Sequence, residues 1–425
     1  MRVLLIGSGG REHALAWKLE RSPEVEALYC APGNPGMQRL GEGVPIAIDR
    51  PVELADFAAE HAIDLTVVGP ELPLSLGLVD ELQRRGLAAF GPTRAAARLE
   101  SSKVFAKQFM VRHGVSTATP FEVVEDEASA RRAAAAIGLP LVMKADGLAA
   151  GKGVLIVQSP GDLEDALRAF FQDRRFGGAG AQVLVEPFLD GEEVSFMGLS
   201  DGRRVLALAT SKDYKRVGEG DSGPNTGGMG AHSPSFVLSE TDSDQMLHDV
   251  LEPTVRGMAA EGVPLIGVVY AGLMLTAEGP RVLEFNIRFG DPEAQVLLLR
   301  LEDDLAPLLL DAATGGFRVE RLRHRSDAAA CIVLASRGYP EKPATGETIR
   351  GIEAAEKRRG VHVFHAGTAR EGRRLVTAGG RVLNVCALGS TLIDALESAY
   401  RAADEIYWPS KVLRRDIGRR VVAGR

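Results

Sequence analysis

The amino-acid sequence predicts a multidomain protein of mixed α/β and α+β class, with three sections along the chain. Residues 1 to about 95 alternate short apolar segments with helical patterns, which is the rhythm of a parallel βαβ unit. Residues from about 101 to 325 carry strand patterns joined by glycine-rich turns, and a mixed β/α section follows. A chain of 425 residues is long enough for about three or four domains. We expect domains at 1–100, 101–325 and 326–425.

Residues 3–6 form the first predicted strand, because successive apolar side chains precede a glycine turn. This run is too short for a signal peptide, so we expect a buried strand. The rhythm continues with helices at 12–21 and 52–61 and strands at 28–30 and 65–68. Parallel strands with crossover helices follow from this order.

The second section begins with a predicted helix at 101–113 and continues into a small α+β segment between about 119 and 187. In that segment we expect a helix at 128–137 and strands at 141–144, 154–157 and 183–186. The patterns after it predict strands at 194–199, 205–209, 267–275 and 282–289, a helix at 241–260 and a long polar loop at 211–234. The third section carries strands at 330–335, 361–365 and 381–386 and a helix at 392–406.

Composition argues against several classes of protein. The net charge of −7 disfavours a binder of nucleic-acid backbones. No apolar run approaches the ~20 residues that a membrane-spanning helix needs. Cys30, Cys331 and Cys386 are odd in number and lack metal-ligand spacing. We expect them to be core residues of a reduced, cytoplasmic protein.

The segment 282–289 is the clearest candidate site. A strand has period two, so Glu284, Asn286 and Arg288 share one face, while the other face carries Leu283, Phe285, Ile287 and Phe289. A carboxylate and an amide oxygen about 7 Å apart can reach one hard cation, and oxygen ligands favour magnesium. Arg288 suits a phosphate or carboxylate. The alternative is an exposed face of unrelated polar residues. The acidic turn at 290–293 favours a functional site.

A glycine-rich loop at 144–154 is the second candidate. Gly147, Gly151 and Gly153 allow close approach of the backbone to phosphate oxygens, and Lys144 and Lys152 supply positive charge. The spacing differs from a Walker A loop, and no Ser or Thr follows the second lysine to hold magnesium. A plain hairpin turn is the alternative interpretation.

Two further segments are polar. Glu186 and Glu193 flank an acidic turn that could bind adenine and ribose, although such a turn alone is usually only solvated. The segment 213–230, with Asp213, Lys215 and a run of glycines after Asn225, is too polar for a core. Long loops are commonly functional, and disorder is the alternative.

The turn after the first strand, residues 7–13, opens a helix and could bind an anion through its amides. A dinucleotide fingerprint needs a third glycine where Glu12 stands, and an acidic residue after the second strand, where residues 31–34 read Ala-Pro-Gly-Asn. The turn therefore indicates a phosphate site without NAD.

Taken in order, the motifs at 7–14, 31–34, 68–71, 144–153, 223–230 and 284–293 resemble the phosphoribosylamine–glycine ligase family, also called glycinamide ribonucleotide synthetases, within the ATP-grasp superfamily. The resemblance extends to 364–368 and 379–383 near the C-terminus. It implies an N-terminal pre-ATP-grasp domain, a two-part ATP-grasp domain with a mobile lid at about 119–187, and a small C-terminal domain. It also implies that ATP phosphorylates glycine and that 5-phosphoribosylamine attacks the glycyl phosphate.

The resemblance also implies residue roles. Lys103, Lys144, Gly151, Lys152 and Gly153 would hold ATP phosphates, Glu186 and Glu193 adenine and ribose, and Glu284 and Asn286 Mg²⁺, with Mn²⁺ possible. Arg288, Lys144 and Asn225 would be catalytic. The substrates would be bound by Gly9, Gly10, Arg11, Glu12, Asn34, Pro70, Glu71, Asp213, Lys215, Asn225, Thr226, Gly227, Gly228, Arg288 and Asp291. One departure from the superfamily is that the strand at 267–275 lacks an acidic metal ligand.

Three alternatives stay open on the residues alone. The βαβ unit could belong to an NAD-dependent oxidoreductase, the nucleotide motifs to a non-catalytic sensor, and the whole pattern to another ATP-grasp ligase or a carboxylase. We expect small-molecule substrates, no nucleic-acid or membrane partner, and a monomer or weak dimer.

Overall fold

The computed structural model describes residues 1–115, 119–147 and 153–423. Its first unit is a five-stranded parallel sheet in the order β3-β2-β1-β4-β5. The predicted strands at 3–6, 28–30 and 65–68 are confirmed, and β1 is buried beyond its first residue. The elements are β1 Arg2–Gly7, α1 Gly10–Glu20, β2 Ala27–Pro32, β3 Glu42–Gly43, α2 Pro51–Glu60, β4 Leu65–Val68, α3 Glu71–Ser75, α4 Leu78–Arg84 and β5 Ala89–Phe90.

The predicted helix at 101–113 is present at Lys103–Arg112, and the extended Ser102, which caps it with its hydroxyl, separates it from a short helix at Arg98–Ser101. An antiparallel sheet in the order β6-β9-β7-β8 follows, with its own hydrophobic core under two capped helices. We call residues 119–187 the lid segment. The elements are α5 Arg98–Ser101, α6 Lys103–Arg112, β6 Glu122–Val124, α7 Glu127–Ile137, β7 Leu141–Ala145, β8 Val154–Val157, α8 Pro160–Leu167 and β9 Val183–Pro187.

A second antiparallel sheet has the order β11-β10-β16-β17. The predicted helix at 241–260 is interrupted by a π-helical turn at Leu247–Leu251. Pro253 lacks the N–H that would continue the α-helical bonding, which explains the interruption. The elements are β10 Glu192–Asp201, β11 Val205–Ala207, β12 Lys212–Asp213, β13 Arg216–Gly218, β14 Ser222–Asn225, β15 Gly230–Ser233, α9 Glu240–Met246, α10 Glu252–Ala260, β16 Ile266–Thr276, β17 Gly279–Asn286, α11 Glu293–Arg300 and α12 Leu305–Thr314.

The prediction of an unstructured loop at 211–234 was wrong, because this segment contains β12 to β15. The strands β13 and β14 form a hairpin, while β12 and β15 join the sheet of the third section. That sheet has the order β12-β15-β18-β22-β19, with β23 beside β18. Its remaining elements are β18 Ala328–Ser336, α13 Ile352–Glu356, β19 Val361–His365, β20 Thr368–Glu371, β21 Arg374–Thr377, β22 Arg381–Gly389, α14 Leu392–Glu405, β23 Lys411–Val412 and α15 Arg419–Ala423.

Helix α14 covers this third sheet with a stripe of buried alanine and leucine side chains. The three cysteines are buried and free, in agreement with the sequence analysis. Within the described ranges no helix is both long and apolar enough to cross a membrane.

Candidate active site

Strand β17 presents two oxygen ligands at the edge of the second sheet. Glu284 lies opposite Gly272 of β16, and Asn286 lies opposite Tyr270. Both side chains are half-buried. Across the described part of the chain, the Glu284 carboxylate has no hydrogen-bond or ion-pair partner, so it is available to a cation.

A β-bulge alters the predicted alternation of this strand. Gly272 pairs with Glu284 and Leu273 pairs with Val282, which leaves Leu283 as the extra residue. Val282 is fully buried and Leu283 only half-buried. The prediction that Leu283 shares the face of Phe285 and Ile287 was therefore wrong. The sequence pattern also predicted that the strand would end at 289, whereas β17 ends at Asn286.

A buried cluster of two lysines and a carboxylate lies next to β17. Lys107 Nζ is 2.8 Å from Glu186 Oε2, and the Lys144 ammonium contacts Glu186 Oε1. Thr119 donates to Glu186 over 3.3 Å and accepts from Lys107. The two ammonium groups also donate to main-chain oxygens of β17, Lys107 to Val282 and Lys144 to Leu283. The cluster thus joins the lid segment, α6 and β17.

The charges in this cluster depend on one another. Burial opposes ionisation of Glu186, but Lys144 and Lys107 outweigh it, so the pKa of Glu186 lies below its ordinary value. Burial also lowers the pKa of Lys107, although Glu186 acts in the opposite direction. Sequence reasoning missed Lys107. Its only signal was a second lysine one helical turn after Lys103.

The start of α6 contacts the beginning of the glycine-rich loop. Lys103 Nζ lies 3.5 Å from the Gly147 carbonyl oxygen. Asp146 accepts from the Val104 amide and from the Ser102 hydroxyl. Gly153 accepts from the Ala145 amide, which closes β7 onto β8. The predicted phosphate-binding residues Gly151 and Lys152 lie outside the described residues.

A second polar cluster begins at β10 and β12. Lys215 Nζ is 2.5 Å from Glu193 Oε2, and this ion pair lowers the pKa of Glu193 despite burial. Burial raises the pKa of Asp213 to about 7; Lys215 lowers it, while the charge of Glu293 adds to the rise. The predicted residues Glu193, Asp213 and Lys215 are thus brought together.

Hydrogen bonds extend this cluster to residues that the sequence analysis did not single out. Tyr270 Oη donates to Glu293 Oε1 over 2.7 Å. The Ser195 hydroxyl lies 2.8 Å from Tyr270 Oη and 3.2 Å from Glu293 Oε1. Ser195 Oγ also lies 3.5 Å from Asp213 Oδ1. Tyr270 lies on β16, the strand in which the sequence analysis noted that an acidic metal ligand is lacking.

Arg288 is held by carboxylates just beyond the end of β17. Its Nη2 lies 3.1 Å from Glu100 Oε1 and 3.2 Å from Asn286 Oδ1, and its Nε lies 3.7 Å from Glu71 Oε2. Glu100 also accepts from the Ile287 amide. Arg288 Nε is buried and makes no hydrogen bond in the described structure, so one donor remains for a ligand. Glu100 is a second residue that sequence reasoning missed.

At the start of α1, where the sequence predicts an anion site, the Gly9 amide is bound by a side chain of the protein itself. Glu12 accepts from the Gly9 amide over 2.7 Å and pairs with Arg11. A side chain at Gly10 would overlap Asn384. Arg11 donates to the Phe289 carbonyl oxygen, which ties this turn to the end of the Arg288 segment. The Gly9 amide is therefore not free for phosphate.

Asn34 of the 31–34 motif and Glu71 of the 68–71 motif make different kinds of contact. Asn34 is 4% exposed, donates to the carbonyl oxygens of Ser8 and His365, and accepts from the amides of Gly36 and Met37. All of these are protein contacts, so the geometry favours a structural role over the predicted substrate contact. Pro70 and Glu71 instead begin α3, with Glu71 facing Arg288.

Residues 225–230, which we call the glycine turn, are partly exposed and partly packed. Asn225 is exposed at the end of β14. Thr226 donates to the Lys215 carbonyl oxygen and accepts from the Gly228 amide. Gly228 has a φ of +113°, and a Cβ there would be 2.5 Å from Pro292. The turn therefore packs against the 290–293 turn, whereas Asn225 points to solvent.

Two four-stranded antiparallel sheets with a lysine–carboxylate cluster between them, beside a parallel βαβ unit, define an ATP-grasp enzyme. The biotin carboxylase of Campylobacter jejuni has the same fold, with a TM-score of 0.75 over 96% of this chain and 92% of that chain. At 16% sequence identity this likeness concerns the fold alone.

The chain belongs to the phosphoribosylglycinamide synthetase family, and is an ATP-grasp ligase of that family. The family models for the N domain, the ATP-grasp (A) domain and the C domain match residues 1–100, 101–294 and 329–420. The phosphoribosylamine–glycine ligase of Mesorhizobium japonicum is 50% identical over 423 residues, which cover 100% of this chain and 99% of that protein. The Vibrio cholerae enzyme of the same name is 48% identical over 428 residues, with coverage of 100% and 99%.

A solved structure supports the same assignment. The phosphoribosylamine–glycine ligase of Thermotoga maritima has a TM-score of 0.85 and 34% identity, over 98% of this chain and 100% of that chain. The family resemblance predicted from the motifs is confirmed.

Proposed function

We propose that this chain joins glycine to 5-phosphoribosylamine with ATP, giving glycinamide ribonucleotide, ADP and phosphate. The observation that carries this proposal is the buried Lys107–Glu186–Lys144 cluster beside the Glu284 carboxylate, which has no partner among the residues that the structure describes. The negative charge of Glu284 raises the pKa of both Lys107 and Lys215, so it is near enough to influence both polar clusters. Relatives that match the whole chain carry the name of this reaction.

The chemistry needs an activated acyl group. A glycine carboxylate oxygen attacks the γ-phosphorus of ATP, the bond to the ADP oxygen breaks, and glycyl phosphate forms. The amine of phosphoribosylamine then attacks the carbonyl carbon, and the carbon–oxygen bond to phosphate breaks with its electron pair. The nitrogen loses one proton. Because the attacking amine and the phosphate leaving group are already reactive, the protein mainly positions the reactants and balances charge.

The residues present fit a divalent cation that the substrates help to coordinate. Within the described ranges no group of three or more His, Cys, Asp or Glu side chains is placed to hold a metal. Glu284 and Asn286 supply two oxygen ligands, which suits Mg²⁺, an ion usually held by one or two carboxylates together with phosphate oxygens. We propose these two residues as its ligands, with Mn²⁺ as a substitute. The ion would offset the negative charge of the phosphates.

We assign some of the cationic residues to the phosphates of ATP and others to the acyl phosphate. We propose that Lys103 and Lys144 bind ATP phosphates with the loop at 151–153, and that the lid segment closes over them. Glu186 is engaged with two lysines, so we group it with the phosphate site rather than with adenine. Glu193 remains our candidate for the ribose. Excluding water protects an acyl phosphate from hydrolysis.

Glycine is a zwitterion at neutral pH and needs both charges recognised. We propose that Arg288, with its free Nε donor, faces the carboxylate and the transferred phosphoryl group. The carboxylates of Asp213 and Glu293 suit the ammonium group. The enzyme would work in the cytoplasm as a monomer or weak dimer.

Phosphate release tests the function directly. The purified protein should release phosphate from ATP only when glycine, phosphoribosylamine and a divalent cation are all present, and should form one amide per phosphate. A panel of other amino acids and bicarbonate serves as the matched set of acids. Stoichiometric turnover with another acid and none with glycine would overturn the proposal in favour of a related ligase or a carboxylase.

A further inference from the structure

Arg381 at the start of β22 connects two turns that are distant in sequence. Its Nη1 donates to the carbonyl oxygens of Gly227 and Asp291, each over 2.6 Å. Its Nη2 donates to Asp291 Oδ2 over 3.0 Å. One guanidinium of the C-terminal section thus fixes both the glycine turn and the acidic turn that follows β17.

The glycine turn is shaped to receive this guanidinium. A Cβ at Gly227 would lie 2.9 Å from Arg381 Cζ, so a side chain there would displace the guanidinium from the main chain. The Gly227 amide donates to the Tyr339 hydroxyl over 2.9 Å. Arg381 and Asp291 side chains are 19% and 15% exposed, so solvent competes weakly for their contact.

The Asp291 carboxylate lies where three sections of the chain meet. Its Oδ1 accepts from Gln295 over 2.7 Å. Its Oδ2 would lie 3.5 Å from a Cβ on Gly9, at the start of α1. Arg381 and Arg11 hold the pKa of Asp291 below its ordinary value although burial opposes this. An ionised carboxylate at this junction can accept hydrogen bonds from hydroxyl or amine groups of a substrate.

We propose that Arg381 is a positioning residue for the amino-sugar phosphate substrate, and that it acts by holding the Asp291 carboxylate and the Gly227–Gly228 turn in place. This inference rests on the proposed function. It assigns to the C-terminal section a part in substrate binding, while the Lys107–Glu186–Lys144 cluster, which we propose to lie at the ATP phosphates, joins the lid segment, α6 and β17.

The guanidinium fork is essential to this role. Arg381 serves two carbonyl oxygens with one nitrogen and a carboxylate oxygen with the other. A lysine keeps the charge but offers a single nitrogen, so it cannot hold both turns with the same geometry. A displacement of about 1 Å in a positioning contact can cost as much as 100-fold in rate.

The test compares Arg381→Lys with Arg300→Lys. Arg300 is also buried and also donates to main-chain oxygens, those of Asp327 and Arg325, outside the two turns. We expect Arg381→Lys to raise KM for phosphoribosylamine by about tenfold or more and to leave the Kd for ATP within about twofold. Arg300→Lys should change thermal stability without this split. Hydrogen exchange at 226–229 and 290–293 should rise only in Arg381→Lys.

A double variant decides whether Arg381 acts through Asp291. Arg381→Lys/Asp291→Asn should raise KM for phosphoribosylamine by clearly less than the product of the two single fold-changes, since part of the effect of Arg381 passes through Asp291. Equal changes in KM for all substrates, additive effects in the double variant, or the same behaviour in Arg300→Lys would overturn the proposal. An inactive wild type would instead count against the proposed function, while the exchange measurement still reports on the two turns.

Discussion

Replacing Glu186 with glutamine should loosen the lid segment, because the change leaves two buried ammonium groups without their carboxylate. The side chains of Lys107, Glu186 and Lys144 are 3%, 5% and 8% exposed, so solvent cannot replace the lost charge. Breaking a buried ion pair by removing one partner costs about 3–5 kcal/mol. Glutamine retains an oxygen that accepts a hydrogen bond, so we expect about 3 kcal/mol, at the lower end of that range.

The loss should depend on pH in a defined direction. Without Glu186, burial keeps the pKa of Lys107 below its unfolded value, so the folded state binds fewer protons than the unfolded state. Stability then rises with pH, and the deficit of Glu186→Gln should shrink between neutral pH and the unfolded lysine pKa of about 10.4. ATP should also reduce the deficit, because its phosphates supply negative charge to the same lysines.

Native-state hydrogen exchange measures this effect where it arises. The lid segment has its own hydrophobic core, so the amides of β7 and β9 report its local opening. Glu192→Gln is the matched control, since Glu192 pairs with Lys212 at the surface and is 54% exposed. It should change protection by less than about 1 kcal/mol. Protection in Glu186→Gln equal to that of the control, at neutral pH without nucleotide, would refute the reasoning.

Three further predictions concern Glu284 on β17, Asp213 on β12 and the buried His232 on β15. Glu284→Gln should keep the fold but lower turnover severely, because it removes the charged ligand that we propose for the cation. The magnesium concentration that activity needs should rise about tenfold or more. Near-native activity at ordinary magnesium would contradict the assignment. Burial raises the pKa of Asp213 to about 7, so wild-type turnover should change through neutral pH, and a profile that keeps this limb in Asp213→Asn would exclude Asp213 as its source. Burial lowers the pKa of His232 to about 4, so the unfolded state takes up a proton first and stability should fall as pH drops from about 6.5 to 4. A thermal unfolding midpoint with the same pH slope in His232→Phe would count against this.

The fold was predictable where local pattern and tertiary structure agree. The apolar runs at 3–6 and 65–68 are strands within a residue of their predicted ends, because buried parallel strands are apolar throughout. The strands at 141–144 and 183–186 are likewise present as β7 and β9. For these strands, the run of apolar residues in the local sequence is enough to predict the secondary structure.

Pairing between distant segments was not predictable in the same way. The strand β15 is short and rich in small residues, and it becomes a strand because it pairs with β18, about a hundred residues later. The bulge at Leu283 arises from the register between β16 and β17. Neither partner is visible in the local sequence, so a polar loop and a regular strand were the natural predictions.

In the candidate site, too, some residues could be predicted from the local sequence and others could not. Glu284, Asn286 and Arg288 share a strand and its extension, so period-two spacing could identify them together. Lys107 and Glu100 lie on helices whose apolar neighbours give no sign of a buried charge, and only their contacts with Glu186 and Arg288 show their roles. A buried charge can be identified only from the residue that it pairs with, and that pairing is set by the tertiary structure.

The glycines at 227 and 228 do not explain how the site would select glycine over larger acids. The sequence predicts that Gly227 and Gly228 let the main chain approach the substrate closely and so crowd out acids larger than glycine. In the structure the missing side chains make room for the protein, Arg381 at Gly227 and Pro292 at Gly228. A bulky residue at either position would therefore separate two turns and could abolish activity with every acid, so it would not report on the choice between glycine and alanine. We therefore expect the test of selectivity to lie in substitutions around Arg288, the residue that we propose to face the substrate carboxylate.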